Sequence, residues 1–128
     1  MKLPDNLKYT KSHEWVLIEG ETATMGITQF AVEQLGDITL VECPQVGDSV
    51  KANDTMGTIE SVKAVSDLYC PIDGTVLSVN EALEDEPEKV NDDCYGDGWI
   101  AKITLGDDAT DEDLMDATAY EEYLDSLD

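Results

Sequence analysis

Arginine is absent from this 128-residue chain, and only seven lysines oppose 30 aspartates and glutamates, a formal charge of −23. Binding a phosphate backbone or an anionic lipid surface needs clustered Lys and Arg. Spread over the roughly 6,700 Å² expected for a fold of this mass, the excess is about one uncompensated negative charge per 290 Å². Nucleic-acid and membrane-surface roles are therefore excluded. Cysteine is scarce as well: Cys43, Cys70 and Cys94 form no CxxC pair, and an odd count argues against a disulfide framework. Such usage fits a reducing cytoplasm. No stretch approaches the ~18 consecutive apolar residues of a transmembrane helix, and Met1 to Thr10 has neither an apolar signal core nor a basic amphipathic pattern. His13 is the sole histidine, and no nucleophile elbow or family-type cysteine motif accompanies it, so no catalytic residue is assigned.

What is present is a hydrophobic fraction of 41%, arranged in periodic runs. The length allows one core, so the expectation is a single domain over 1–128 with its core at about 7–106. Glycine and turn residues recur every eight to fifteen positions, the rhythm of many short strands. Trp15 to Ile18 and Thr22 to Ile27 flank Glu19-Gly20-Glu21 and predict a hairpin, with Ala23, Met25 and Ile27 on one face. Thr28 is placed to cap a short helix through Leu35, with Phe30, Ala31 and Leu35 on one side and Gly36 as its stop. Ile38 to Val41 reads as a strand ended at Cys43-Pro44, and Trp99 to Leu105 as the last strand. Val46-Gly47-Asp48-Ser49-Val50 is echoed by Ile72-Asp73-Gly74-Thr75-Val76, which hints at an internal two-fold. Beyond Gly106, Thr110 to Asp113 resembles a capping box. Leu114, Ala117, Tyr120, Leu124 and Leu127 then follow at spacings of three and four, predicting an amphipathic helix over about 110–126.

Two strand-type runs, Thr58 to Val62 and Val65 to Tyr69, meet around Lys63 without the Gly, Pro or Asn that hairpin tips usually use. Something other than turn chemistry therefore selects Lys63. A lysine on a rigid tip is presented as an enzyme needs it to acylate the ε-amine, although a tip lysine serving only solubility is the plain alternative. The acidic loop Asn91 to Gly98 does not fit the EF-hand register, since Asp93 and Tyr95 fall out of place, and is expected to form a tight turn before Trp99.

Glu60-Ser61-Val62-Lys63-Ala64-Val65-Ser66-Asp67, followed by Cys70-Pro71-Ile72-Asp73-Gly74, resembles the lipoyl-attachment segment of the glycine cleavage system H-protein family. Ser12-His13-Glu14-Trp15, Gly26-Ile27-Thr28 with Leu35-Gly36-Asp37, and Val90-Asn91-Asp92 with Tyr95-Gly96-Asp97-Gly98-Trp99 match it in order and spacing. The resemblance implies a mainly β fold, a flattened barrel-sandwich hybrid with a lysine-bearing hairpin, a short internal helix and a C-terminal helix outside. It implies a non-catalytic carrier holding lipoate in amide linkage on Lys63. The carrier would shuttle an aminomethyl group from a pyridoxal-phosphate glycine decarboxylase to a tetrahydrofolate-dependent aminomethyltransferase. The dithiol would then go to dihydrolipoyl dehydrogenase, and a lipoate-attaching enzyme would load the lysine. Ser12, Glu14 and Asp67 would line a cleft that shelters the cationic amine. Cys94 replaces a proline usual in the family, and Lys89 stands where an apolar residue is usual, which bears on loop rigidity. Biotinyl domains flank their lysine with methionines, whereas Val62 and Ala64 flank Lys63. Dehydrogenase lipoyl domains usually have Asp-Lys-Ala and hang on flexible linkers, and neither feature is present. A relative relaying lipoate to other carriers shares the hairpin and stays open. A freely diffusing monomer suits a carrier that visits several enzymes.

Overall fold

Apolar alternation organises the first half of the chain. The computed structural model describes residues 3–107, 109 and 114–127. Strands Lys8–Tyr9 (β1), Glu14–Glu19 (β2) and Thr22–Ile27 (β3) pair antiparallel in sequence. The expected hairpin closes with Glu19 opposite Thr22, and Gly20 takes φ 63°, a conformation that costs least without a Cβ. Successive side chains of β2 point to opposite faces. Val16 therefore enters one apolar cluster and Trp15 joins Leu7, Tyr9 and Tyr120 in a second one. Gly26 stands across from Trp15, and the indole lies over the space that a Cβ would take, donating from Nε1 to the Cys94 carbonyl at 2.8 Å.

Helix Gln29–Leu35 (α1) begins and ends where its caps predict: Thr28 Oγ1 accepts from Ala31 N at 3.3 Å, and Gly36 follows with φ 78°. Its core contacts come from Val32, Ala31 and Leu35, whereas Phe30 packs against His13 with ring centroids 4.6 Å apart. The expected apolar face is thus rotated off Phe30, because the neighbouring histidine ring offers that side chain a partner outside the core. Then follow Ile38–Glu42 (β4), Ser49–Val50 (β5), Thr55–Ser61 (β6), Val65–Tyr69 (β7) and Gly74–Val79 (β8). Two single turns, Ala82–Asp85 (α2) and Lys89–Asp92 (α3), lead to Ala101–Leu105 (β9) and helix Ala117–Ser126 (α4).

The strands make two antiparallel sheets, β1-β2-β3-β9-β8-β5 and β4-β6-β7, which form an open sandwich instead of a closed barrel. Val16, Met25, Val76 and Ile103 of the large sheet meet Val41, Ile59 and Leu68 of the small one in a common core. Each such buried side chain contributes roughly 1.5–3 kcal/mol, enough collectively to hold the fold against the repulsion of a surface whose charges are screened beyond ~10 Å. The two echoing segments lie side by side: Ser49 pairs with Thr75 and Val50 with Gly74, extended by Gly47 N–H to the Val76 carbonyl at 2.8 Å.

Helix α4 closes the outer face of the large sheet through Tyr120, which stacks on Tyr9 at 4.7 Å. It starts at Ala117, with Asp116 Oδ1 accepting from Ala119 N at 2.8 Å. The capping box expected at Thr110 to Asp113 lies outside the described residues. Leu114 and Met115 are not helical, and Met115 instead exchanges backbone hydrogen bonds with Tyr9. Leu127, expected on the apolar face of the helix, is exposed as the residue that caps its C-terminal end. Strand β9 begins at Ala101, two residues later than expected. Among the described residues no helix is long and apolar enough to cross a membrane.

Candidate functional site

Lys63 sits at the tip joining β6 to β7, exposed between Val62 and Ala64. The turn does use local chemistry, contrary to the sequence reading: Ser61 supplies it. Ser61 N–H donates to the Ala64 carbonyl at 2.8 Å, and Ser61 Oγ accepts from Lys63 N at 3.2 Å and Ala64 N at 3.1 Å. A serine hydroxyl satisfying turn amides removes the need for a left-handed residue, and none of Val62, Lys63 and Ala64 has positive φ. The tip is also braced from outside, by Val62 N–H donating to the Asp37 carbonyl at 3.1 Å. The Lys63 side chain lies against Gly36, with Cε 3.2 Å from where a Cβ would stand. Val62 and Val65 are about two-thirds exposed, so the lysine is framed by apolar surface.

Glu14 is the one buried acid among the described residues, with 2% of its surface accessible. It starts β2 after the turn Thr10 to Glu14, in which His13 takes φ 71°. Thr10 Oγ1 donates to Glu14 Oε1 at 2.7 Å and accepts from Glu14 N–H at 3.1 Å. Burial pushes the carboxyl up to about 7, opposed by hydrogen bonds from the Thr10 and Ser12 side chains and the Tyr69 backbone. Ser12 lines a cleft of about 350 Å³ together with Thr10, Asn53, Pro71 and Asp73. The structure thus brings Ser12 and Glu14 together at the far end of β7. Asp67 lies two residues before Tyr69 on that strand, exposed and paired with Thr58, and no hydrogen bond or ion pair among the described residues joins it to Glu14 or Lys63. Thr10 and Tyr69 went unseen in the sequence, because nothing local marks a residue that serves a carboxyl from another strand.

His13 is tied into the fold by Tyr120 and Phe30. Its Nδ1 lies 2.8 Å from Tyr120 Oη, which is itself 2.8 Å from Thr28 Oγ1, so one buried hydroxyl ties α4 to the Thr10–Glu14 turn and to the cap of α1. Burial lowers the pKa of His13. All three cysteines are free. Burial pushes the thiols of Cys43 and Cys70 up to about 11 and that of Cys94 up to about 12, leaving no activated thiolate. The loop before Trp99 is a tight turn, with Gly98 N–H on the Asp93 carbonyl at 2.8 Å and Trp99 N–H on the Gly96 carbonyl at 3.0 Å.

Fold and site together define a carrier-type β-sandwich that offers one lysine at a braced hairpin tip. The family model described as glycine cleavage H-protein matches residues 7–127. The chain is 53% identical over 120 residues to the glycine cleavage system H protein of Bacteroides thetaiotaomicron, covering 94% of this chain and 95% of that one. It is 52% identical over 124 residues to the glycine cleavage system H protein of Nitratidesulfovibrio vulgaris, covering 97% and 96%. The crystal structure of a glycine cleavage system H protein from Mycobacterium marinum superposes with a TM-score of 0.86 at 36% identity, covering 96% of this chain and 99% of that one. The chain belongs to the glycine cleavage H-protein family.

Proposed function

We propose that this chain is the lipoyl carrier of a glycine cleavage system, with lipoate in amide linkage on Lys63. The observation that carries the reading is the geometry of the tip: an exposed ε-amine, framed by exposed Val62 and Val65, on a turn fixed by Ser61 and braced at Asp37. That arrangement fits a long acyl group, since the amine is open to an acylating enzyme and forms no ion pair among the described residues. When bound, lipoate supplies reversible disulfide chemistry and a place to hold the transferred group. The protein supplies support, position and shelter.

Ser12, Glu14 and Asp67 are the residues proposed to receive a cationic amine carried on the arm. A neutral carboxyl suits an empty buried site, and an arriving ammonium favours the ionised form, so Glu14 would release its proton to solvent as the cation docks. Asp67, exposed on β7 between tip and cleft, would attract the cation on its way. The partners implied are the glycine decarboxylase, the aminomethyltransferase, dihydrolipoyl dehydrogenase and a lipoate-attaching enzyme. A surface with net charge −23 favours basic docking patches on each. The whole chain is read as one carrier domain, and its three free thiols support a reducing compartment such as the cytoplasm.

The test is intact mass after expression with lipoate and a lipoate-attaching enzyme. Wild type should gain one lipoyl increment and Lys63→Ala none. An increment that survives Lys63→Ala, or none on wild type, would sink the assignment. For the cleft, Glu14→Ala should be lipoylated normally yet lose the amine-bearing group faster once loaded, and equal decay rates would count against it.

A further inference from the structure

Beyond Ser61, the backbone of the lysine tip has one link outside its own hairpin among the described residues, from Val62 N–H to the Asp37 carbonyl at 3.1 Å. That carbonyl belongs to a sharp corner, Gly36-Asp37-Ile38, between α1 and β4, where Gly36 has φ 78°. Gly36 N–H donates to the Val32 carbonyl at 2.8 Å and Ile38 is buried opposite Ser61, with Asp37 exposed between them. The polar groups on either side of it are both met by one side chain: Asn91 Nδ2 donates to the Gly36 carbonyl at 2.8 Å, and Asn91 Oδ1 accepts from Ile38 N–H at 2.9 Å. Asn91 is itself anchored, since it lies on α3 next to the fully buried Val90.

The chemistry of this contact is specific. The corner presents an acceptor and a donor, and a short primary amide offers one donor and one acceptor side by side to match them. An aspartate of the same shape has only acceptors when ionised and would face the Gly36 carbonyl oxygen with a second oxygen. Alanine meets neither group.

We propose that Asn91 is a positioning residue for Lys63: by pinning Gly36 and Ile38 it fixes the Asp37 carbonyl, which fixes the tip on which the lysine stands. The proposal rests on Lys63 being the acylated residue. The base of the hairpin does not depend on Asn91, because β4 pairs with β6 from Ile38 to Glu42, and β6 pairs with β7 from Thr55 opposite Tyr69 to Glu60 opposite Val65. Asn91 therefore governs where the tip points and how much it moves. A tip that wanders must be ordered by the enzyme that acylates it, and that ordering weakens binding of the carrier more than it slows the bound reaction.

The experiment compares Asn91→Ala, Asn91→Asp and wild type by amide hydrogen exchange and by steady-state lipoylation. Val62 should exchange about tenfold faster or more in both variants, while Ile59 and Leu68 in the hairpin ladder stay within about twofold. KM for the carrier should rise about three- to tenfold, with kcat within about twofold. Asp92→Ala, an exposed neighbour on the same turn, should change neither quantity. Unchanged Val62 exchange in both variants overturns the proposal, and so does loosened Val62 with unaltered KM. If Asn91→Ala fails to fold, the isosteric Asn91→Asp decides the matter. A lipoyl increment that survives Lys63→Ala overturns the attachment reading instead, and the Val62 exchange still judges the brace separately.

Discussion

Replacing Glu14 with glutamine removes a titration and leaves a side chain of the same shape, which makes the buried carboxyl measurable. Its pKa is raised from the ordinary 4.5 to about 7 by burial, so the folded state holds the proton more tightly than the unfolded chain. The sign follows from linkage: the stabilising contribution is complete below pH 4.5 and is lost as pH rises through 7. The span of 7 − 4.5 = 2.5 pH units, at 1.36 kcal/mol each, gives about 3 kcal/mol between the two plateaus. Glu14→Gln stays neutral throughout and keeps an oxygen for Thr10, although its amide donors meet the Tyr69 N–H poorly, a pH-independent offset of about 1 kcal/mol. Urea unfolding at closely spaced pH values from 4.5 to 8.5, in salt that screens the surface acids, should show the variant gaining about 3 kcal/mol on wild type across the range. Groups whose titration is untouched cancel in the difference. A flat difference curve would refute the idea that this carboxyl is neutral in the empty protein below neutrality.

Tyr120→Phe removes the hydroxyl shared by His13 and Thr28 but keeps the stack on Tyr9, and should cost about 1–2 kcal/mol in urea unfolding at pH 7.5; no loss would show the hydroxyl network to be idle. Gly26→Ala puts a methyl group against the Trp15 indole and should break its bond to Cys94, destabilising by about 1–3 kcal/mol with a red-shifted tryptophan emission, and native emission at wild-type stability would contradict the packing. The thiols should react with a disulfide reagent at pH 8 about a hundredfold more slowly in the folded protein than in urea, because burial suppresses the thiolate, and a rapid native reaction at Cys70 would show that burial to be wrong.

Features set by neighbours in sequence were legible before the fold was seen. Thr28 and Gly36 bound α1 because both caps act within one helical turn, and Ala23, Met25 and Ile27 share a buried face because a strand has a period of two. The sequence pattern places the lysine at its tip but does not show how the turn closes, because no residue tolerant of positive φ is needed where the Ser61 hydroxyl satisfies the turn amides. The two-residue β1 was missed because its pairing with Val16, Trp15 and Met115 exists only in the assembled fold. The C-terminal helix was expected too early. Leu114 suits the helical spacing, yet the backbone of Met115 gains more by bridging to Tyr9.

The sequence alone determined the surface charge of −23, the β rhythm, the caps and the identity of the presented lysine, since each depends on composition or on contacts a few residues long. Tertiary structure decided which acid among the described residues is buried. Glu14 reads like any other glutamate until Thr10, Ser12 and Tyr69 close over it, because a pKa is set by what displaces water, and those groups arrive from two separate strand ends. The same holds for Asn91, whose amide gains meaning only when α3 is laid against the corner that braces Lys63.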